Sequence, residues 1–327
     1  MGFGVAETTI AAALSDVSFE VNRFTTTIPT DGNPADIYFP RVSATSDESF
    51  PTAILLPGAL VDKSFYSNFA TQVASYGFIV AVPNNTVSLP QFDFNGLLPE
   101  ASQINAVYDF VLTESENSTS PLADIVDLDK LALLGHSQGG AVGLTAIEGS
   151  CIFPFCLGDF SRPEALMAGA FYGTNRFDPL LMEFIPTNNE GIPIALVQGS
   201  LDGVATPEEA LATFNLIQDP PKALISVNGA NHFSITNVDN PPGALPDFSN
   251  PTLAQDEAIE TIARWSALFL RATVLDDADA FELVFDGEAK APNVSVIAEV
   301  KAVPEPNSLL GLLTVAIGGV RWLWRRQ

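Results

Sequence analysis

The sequence predicts an α/β fold: a mainly parallel, twisted sheet with helices on both faces, followed by a C-terminal hydrophobic tail. In the middle of the chain, short apolar runs alternate with amphipathic stretches, the pattern of repeated βαβ units. Hydrophobic residues make up 47% of the 327 residues, enough for a sizeable core and too many for global disorder. A glycine-rich turn, GHSQGG at 135–140, joins an apolar run to a helical stretch.

The elements follow in order along the chain. Segments 18–28 and 35–39 predict an antiparallel pair of edge strands, and strands and helices alternate after them. The first helix ends at Gly77, a typical C-terminal cap, and Pro251 suits the first turn of the last long helix. The later predicted strands are 53–56, 78–82, 130–134, 165–171, 192–198 and 222–228; the predicted helices are 65–76, about 100–113, about 138–149 and 251–272.

Composition divides the chain into four parts. Residues 1–17 are an N-terminal segment without the basic and continuous apolar regions of an export signal. This segment could be a truncated leader. Residues 18–285 form the main domain, 286–302 a linker after a short last helix, and 303–327 a separate tail.

The charge balance argues against some partners. Thirty-nine acidic and 14 basic side chains give a formal net charge of −25. Such a surface repels phosphate backbones, so nucleic acid is not expected as a partner, and a neutral or apolar substrate fits better than an anionic one.

The two cysteines, Cys151 and Cys156, lie in CIFPFC. They could form a disulfide in an oxidising compartment or remain as buried thiols, and the spacing does not decide between these states. With two histidines and no CxxC motif, neither a metal nor another cofactor is expected.

The strongest motif is the G-x-S-x-G turn centred on Ser137. It follows the apolar run KLALL and opens a helix, the context in which a serine nucleophile is held on a sharp, strained turn. Small residues must flank such a serine, here Gly135 and Gly139. The helix N-terminus also favours negative charge near the hydroxyl.

A serine nucleophile needs a base and an orienting carboxylate. His136 adjoins Ser137, where the turn directs its side chain away, so His232 is predicted as the base. Where a serine lies on a G-x-S-x-G turn between a strand and a helix, the acid follows the serine and precedes the histidine in the sequence, which places it between Ser137 and His232. Asp202 lies in this interval and directly follows a predicted strand. Other acidic residues in this interval remain alternatives: Asp159, Asp178, Glu183 and Asp219.

Two backbone amides are predicted to stabilise an oxyanion. One is the N–H of Gln138, the residue after the serine. The other is the N–H of Ala59 in LLPGALVD, where Gly58 allows a sharp turn.

With these residues placed, the chain resembles the α/β-hydrolase superfamily over about residues 20–285. Within it, ILLPGA, the VPN strand end at 82–84, GHSQGG, DG at 202–203 and NH at 231–232 resemble chlorophyllases, dienelactone-hydrolase-like proteins and polyester hydrolases. The resemblance implies a serine carboxylic-ester hydrolase, either a chlorophyllase that releases phytol or a secreted lipase, cutinase-like polyester hydrolase or general esterase. A peptidase or amidase, or a non-catalytic exported binding protein, are further alternatives.

Two apolar segments, 89–100 and 151–160, follow a predicted strand and the predicted elbow helix. They could line a groove or form a lid for a hydrophobic substrate, or their phenylalanines could simply fill the core.

The tail resembles the PEP-CTERM sorting signal of exported bacterial proteins. It contains Pro-Glu-Pro at 304–306, an apolar stretch at 308–320 and a basic cluster of Arg321, Arg325 and Arg326. The resemblance implies export, either with a truncated leader at residues 1–17 or by another route. It also implies transient membrane anchoring by residues 308–324 and processing by an exosortase-type protease. A photosynthetic-membrane location is the alternative if the substrate is chlorophyll.

Overall fold

A nine-stranded sheet forms the centre of the protein, with helices packed on both of its faces. The structure is a computed structural model that describes residues 18–43, 46–178, 181–286 and 291–301. The predictions for residues 1–17 and 303–327 lie outside the described residues.

Thirteen strands are described, nine of them in the main sheet in the order β1-β2-β4-β3-β7-β8-β11-β12-β13. The block from β4 to β12 is parallel, whereas β1, β2 and β13 pair antiparallel with their neighbours. The strands are β1 Val21–Thr27, β2 Pro34–Pro40, β3 Phe50–Leu56, β4 Ile79–Pro83, β5 Thr86–Leu89, β6 Phe94–Leu97, β7 Val126–His136, β8 Leu166–Tyr172, β9 Phe177–Asp178, β10 Glu183–Phe184, β11 Ile194–Gly199, β12 Lys222–Val227 and β13 Val294–Glu299.

Six α-helices are described, and they cover the sheet in two layers. They are α1 Ser67–Ser75, α2 Ser102–Glu116, α3 Gln138–Ile147, α4 Pro207–Leu216, α5 Gln255–Val274 and α6 Ala278–Phe285. Buried residues of α1, α5 and α6 form one apolar core with the sheet, and those of α2, α3 and α4 form the other. The predicted fold class, a mainly parallel sheet with helices on both faces, is confirmed.

Three details of the prediction are wrong. Helix α5 begins at Gln255, so Pro251 precedes the helix instead of occupying its first turn. Strand β2 lies between β1 and β4, so only β1 of the N-terminal pair is an edge strand. The interval predicted as a linker, 286–302, contains β13, which closes the other edge by pairing with β12. Alternate residues of β13 (Val294, Val296, Ala298) pack on the core, a two-residue period masked by the acidic and small residues around it.

The parallel strands determine where a site can form. The segments that follow β3, β7, β8, β11 and β12 emerge at the same edge of the sheet, because parallel strands share a direction. Among the described residues, no helix is both long enough and apolar enough to cross a membrane.

Candidate active site

Ser137 lies on a sharp turn between β7 and α3. Its backbone has φ 54° and ψ −122°, a left-handed conformation that non-glycine residues rarely adopt and that costs roughly 1–3 kcal/mol. The turn is held on both sides, since the Ser137 amide donates to the Tyr172 carbonyl at 2.9 Å and the Ser137 carbonyl accepts from Thr174 Oγ1 at 2.8 Å. The hydroxyl makes no capping bond to the helix, which leaves it available to a base.

The two glycines that flank Ser137 are required by backbone packing. A Cβ on Gly139 would lie 2.1 Å from the Leu56 carbonyl oxygen, and one on Gly135 would lie 2.7 Å from the Gly139 carbonyl. The start of α3 therefore packs directly against the end of β3. This close approach brings the turn after β3 beside the serine.

A continuous chain of hydrogen bonds joins Ser137, His232 and Asp202. His232 Nε2 is 2.9 Å from Ser137 Oγ, and Nδ1 is 2.9 and 3.1 Å from the two Asp202 oxygens. The carboxylate can only accept, so Nδ1 carries the proton and Nε2 accepts from the serine hydroxyl. The structure thus brings together the three residues singled out in the sequence, with Asp202 as the carboxylate at His232.

The Asp202 carboxylate is buried and firmly held. Its Oδ1 also accepts the amides of Val204 at 2.9 Å and Ala205 at 2.8 Å. Gly173, with φ 57°, allows the close approach behind the pair, because a Cβ there would lie 2.9 Å from Asp202 Oδ2 and 3.1 Å from His232 Nδ1. Sequence reasoning missed Gly173, because the surrounding FYGTN matches no motif and only the fold brings it beside Asp202 and His232.

His136 is fully buried and has a structural role that the sequence did not show. Its Nε2 donates to the His232 carbonyl at 2.9 Å, and its Nδ1 accepts from the Tyr66 hydroxyl at 2.9 Å. The Tyr66 oxygen in turn accepts the Gly58 amide at 2.8 Å. Burial, together with the neighbouring His232, holds the pKa of His136 well below its usual range, so His136 is neutral. This chain of bonds connects the turn after β3 with the backbone of His232.

The two segments that carry the predicted oxyanion amides both adjoin Ser137. Gly58 is adjacent to the elbow, because a Cβ on it would lie 3.4 Å from Ser137 Cβ. Gln138 is the first residue of α3 and has no acceptor in its own helix. Within the described residues, neither the Ala59 nor the Gln138 amide donates a hydrogen bond.

Further polar contacts brace this turn. Asp62 caps the 3₁₀ turn Lys63–Tyr66 and accepts from Asn84 Nδ2 at 2.7 Å. Burial raises the pKa of Asp62, but the hydrogen bonds from Ser64 and Asn84 outweigh this effect and lower the pKa overall. The turn is therefore preorganised before any substrate binds.

Cys151 and Cys156 are joined by a disulfide, which resolves the alternatives left open by the sequence. The six-residue loop packs beside the start of α2, where Ala101 donates to the Phe155 carbonyl at 2.8 Å. The Phe153 ring stacks on Phe92 of the β5–β6 hairpin at 5.8 Å. These two phenylalanines are 55% and 61% exposed, so they do not fill the core.

Together these features define a class. The chain has the α/β-hydrolase fold, with the serine elbow after β7, the acid after β11 and the histidine after β12.

Comparison with known proteins identifies similar enzymes within this fold class. A family model described as chlorophyllase matches residues 13–151. Cutinase est2 of Thermobifida alba is 31% identical over 62% of this chain and 58% of its own length. The bis(hydroxyethyl) terephthalate hydrolase of Streptomyces coelicolor is 25% identical over 74% of this chain and 62% of its own length. Chlorophyllase-1 of Arabidopsis thaliana is 27% identical over 58% of this chain and 59% of its own length. The matches thus span about three fifths of each relative.

Proposed function

We propose that the protein is a serine hydrolase that cleaves a hydrophobic carboxylic ester through an acyl-enzyme. The observation that carries the proposal is the unbroken hydrogen-bond chain from Ser137 through His232 to Asp202, next to two amides that donate to nothing within the described residues. The three relatives, named as a cutinase, a bis(hydroxyethyl) terephthalate hydrolase and a chlorophyllase, support an ester as the substrate.

The mechanism follows from the donors and acceptors. His232 Nε2 takes the Ser137 proton as Oγ attacks the ester carbonyl, and the Ala59 and Gln138 amides hold the resulting oxyanion. The imidazolium then gives its proton to the leaving alcohol, and the acyl group remains on Ser137. Water, deprotonated by His232, attacks the acyl-enzyme; the imidazolium then returns that proton to Ser137 Oγ as the acid leaves. Asp202 accepts from Nδ1 throughout and stabilises the charged imidazole.

Two substrate classes are supported. The chlorophyllase family model and the Arabidopsis relative favour chlorophyll, which would be cleaved to chlorophyllide and phytol. The cutinase and terephthalate-hydrolase relatives favour a polyester or lipid ester instead. Exposed aromatic rings such as Phe92 and Phe153 suit either apolar substrate.

The deciding experiment offers chlorophyll a, p-nitrophenyl esters of short and long acids, and bis(hydroxyethyl) terephthalate to the full chain. Ser137→Ala serves as the blank, and its circular dichroism should match that of the wild type. Activity that vanishes in the blank supports the serine mechanism, whereas near-wild-type turnover by Ser137→Ala contradicts it. Chlorophyllide release would favour the first substrate class, and ester cleavage without chlorophyllide the second.

Anilides of matched chain length separate an esterase from an amidase or peptidase. Equal rates on ester and anilide would favour the latter. Hydrolysis of neither, by a folded wild type, would favour the non-catalytic binding protein.

We also propose export and sorting by the tail, on the sequence pattern alone. Pro-Glu-Pro at 304–306, the apolar stretch 308–320 and the arginines after it suit a transient membrane anchor that an exosortase-type protease removes. Deleting residues 303–327 should leave ester hydrolysis intact and move the protein from the membrane fraction to the soluble fraction. Loss of activity on deletion would instead place the tail in the domain.

A further inference from the structure

The segment that follows the base in the sequence, residues 239–249 (the rim loop), contacts three of the segments that form the site. Near its middle, a Cβ on Gly243 would lie 3.1 Å from the carbonyl oxygen of Leu60, the residue after Ala59. Farther on, Asp247 reaches both Gly203 and His232. The rim loop therefore contacts the turn after β3, which carries the Ala59 amide (the oxyanion turn), and also the loops that carry Asp202 and His232.

The Asp247 carboxylate lies in the interior of the protein, only 4% exposed. Its Oδ2 accepts the amides of His232 at 3.0 Å and Gly203 at 3.2 Å, and its Oδ1 accepts the Ser249 amide at 2.8 Å. Gly203 permits this approach, since a Cβ there would lie 2.4 Å from Ser249 Oγ and 2.6 Å from Asp247 Oδ1. One oxygen thus joins the residue after Asp202 to the backbone of His232.

We propose that Asp247 is a positioning residue that sets the distance between Asp202 and His232 through their neighbouring backbone amides. The Asp202–His232 bond connects two loops that follow different strands, and the Asp247 carboxylate is a second connection between those loops. Misplacing a reacting group by about 1 Å can cost 10²-fold in rate, so a second connection matters. This inference rests on the proposed ester hydrolysis only for its kinetic readout.

The test is Asp247→Asn in the full chain. Asparagine has one acceptor oxygen, so its NH₂ must face either the Ser249 amide or the two shared amides. We expect kcat to fall about 10- to 100-fold on a p-nitrophenyl ester, with KM within about 3-fold of wild type. The matched control is Asp239→Asn, in the same loop, where the carboxylate is exposed and accepts the Asn231 side chain instead. The control should retain kcat within about 2-fold.

Two further measurements separate positioning from general stability. In an Asp202→Asn background, Asp247→Asn should cost little more, because the bond that Asp247 aligns is already changed. The downfield proton NMR signal of the His232 Nδ1–H should also move in Asp247→Asn and remain in place in Asp239→Asn. If Asp247→Asn does not fold, Gly203→Ala disturbs the same contact from the other side and takes its place.

Either of two results would overturn the role: a kcat equal to that of the control, or fully additive losses in the double variant. A wild type that hydrolyses no ester would refute the proposed function instead. The NMR comparison would then still test Asp247.

A separate observation concerns the solvent side of the rim loop. Leu245 and Phe248, on either side of the inward-facing Asp247, are 79% and 90% exposed. Val204, next to Gly203, is 46% exposed. The loop that carries Leu245 and Phe248 adjoins the site, because Gly243 approaches the Leu60 carbonyl and Asp247 accepts the Gly203 amide.

We infer that Leu245 and Phe248 bind the uncharged apolar arm of the ester substrate. The occupant is neutral because the protein carries a net charge of −25, which disfavours an anionic ligand. It is apolar because the two side chains offer no polar group, and it belongs to the substrate because the rim loop adjoins the oxyanion turn. This inference also rests on the proposed ester hydrolysis.

The experiment compares Leu245→Ser and Phe248→Ser with Ile297→Ser, an exposed apolar residue on edge strand β13. Two substrate series are used, p-nitrophenyl esters with 4- and 16-carbon acids and butyrate esters with short and long alcohols. In Leu245→Ser and Phe248→Ser, KM should rise about 10-fold for the long esters of one series and stay unchanged for the short esters. The series that responds shows whether the acid or the alcohol of the ester binds these two side chains. Chain-length preference equal to that of Ile297→Ser would refute the inference. A wild type inactive on every ester would instead refute the proposed function.

Discussion

Replacing Gly139 by alanine tests the packing on which the whole site depends. The new Cβ would lie 2.1 Å from the Leu56 carbonyl oxygen and 2.5 Å from that of Pro57. Ordinary contact begins near 3.4 Å, so the start of α3 and the end of β3 must separate by more than about 1 Å. Both neighbours are backbone, so no side-chain rotation relieves the contact. Overpacking typically costs about 1–3 kcal/mol, and here we expect the upper end.

That separation also moves the Ala59 amide away from Ser137. Loss of one oxyanion donor lowers kcat about 10²–10³-fold, so we expect at least a 100-fold fall on p-nitrophenyl butyrate with little change in KM. Thermal melts should show a decrease in Tm of about 5 °C, the shift that roughly 3 kcal/mol produces at an unfolding entropy of about 2.1 cal/mol/K per residue over a domain of about 270 residues. The control is Gly158→Ala, whose Cβ would meet side-chain atoms and no backbone, chiefly the Ser102 hydroxyl at 3.0 Å and the Ser102 Cβ at 3.3 Å. A folded Gly139→Ala protein with the kcat and Tm of this control would refute the reasoning.

Three other changes give distinct readouts. Burial, with His232 nearby, lowers the pKa of His136, so below pH 6.5 the unfolded chain binds a proton that the native state does not bind. As the pH decreases below 6.5, the free energy of unfolding should therefore fall by up to about 1.4 kcal/mol per pH unit. Urea unfolding at several pH values should show that the free energy of unfolding depends less steeply on pH in His136→Gln than in the wild type. Parallel pH curves for the two proteins would contradict a neutral, buried His136. Asp202→Asn should lower kcat roughly 10³–10⁴-fold in a folded protein, because the imidazole loses the partner that holds its tautomer; a loss below 10-fold would exclude this role. Tyr66→Phe leaves the Gly58 amide and His136 Nδ1 without hydrogen-bond partners and should lower the free energy of unfolding by about 2–4 kcal/mol. The control is Tyr108→Phe, whose hydroxyl donates to a single carbonyl, and it should lose less stability in the same urea titration. Equal losses would argue against the buried chain of hydrogen bonds.

Local patterns in the sequence were sufficient to predict the alternation of strands and helices and the elbow at Ser137. Hydrophobic periodicity and glycine placement act over a few residues, so they can be read directly. His232 followed by elimination, since the chain has only one other histidine, and Asp202 followed from chain order and its place after a strand. Strand β13 was missed because a local pattern must be long enough to recognise. Its two-residue period is short and lies among acidic residues.

Only the tertiary structure decided which polar groups meet. Tyr66, His136 and the His232 carbonyl form one buried chain, and Asp247 reaches Gly203, 44 residues earlier. The disulfide between Cys151 and Cys156 was likewise undecided by spacing. Hydrogen-bond partners distant in sequence are chosen by how strands and loops pack, because a buried donor or acceptor must find whatever complementary group the fold brings within about 3 Å.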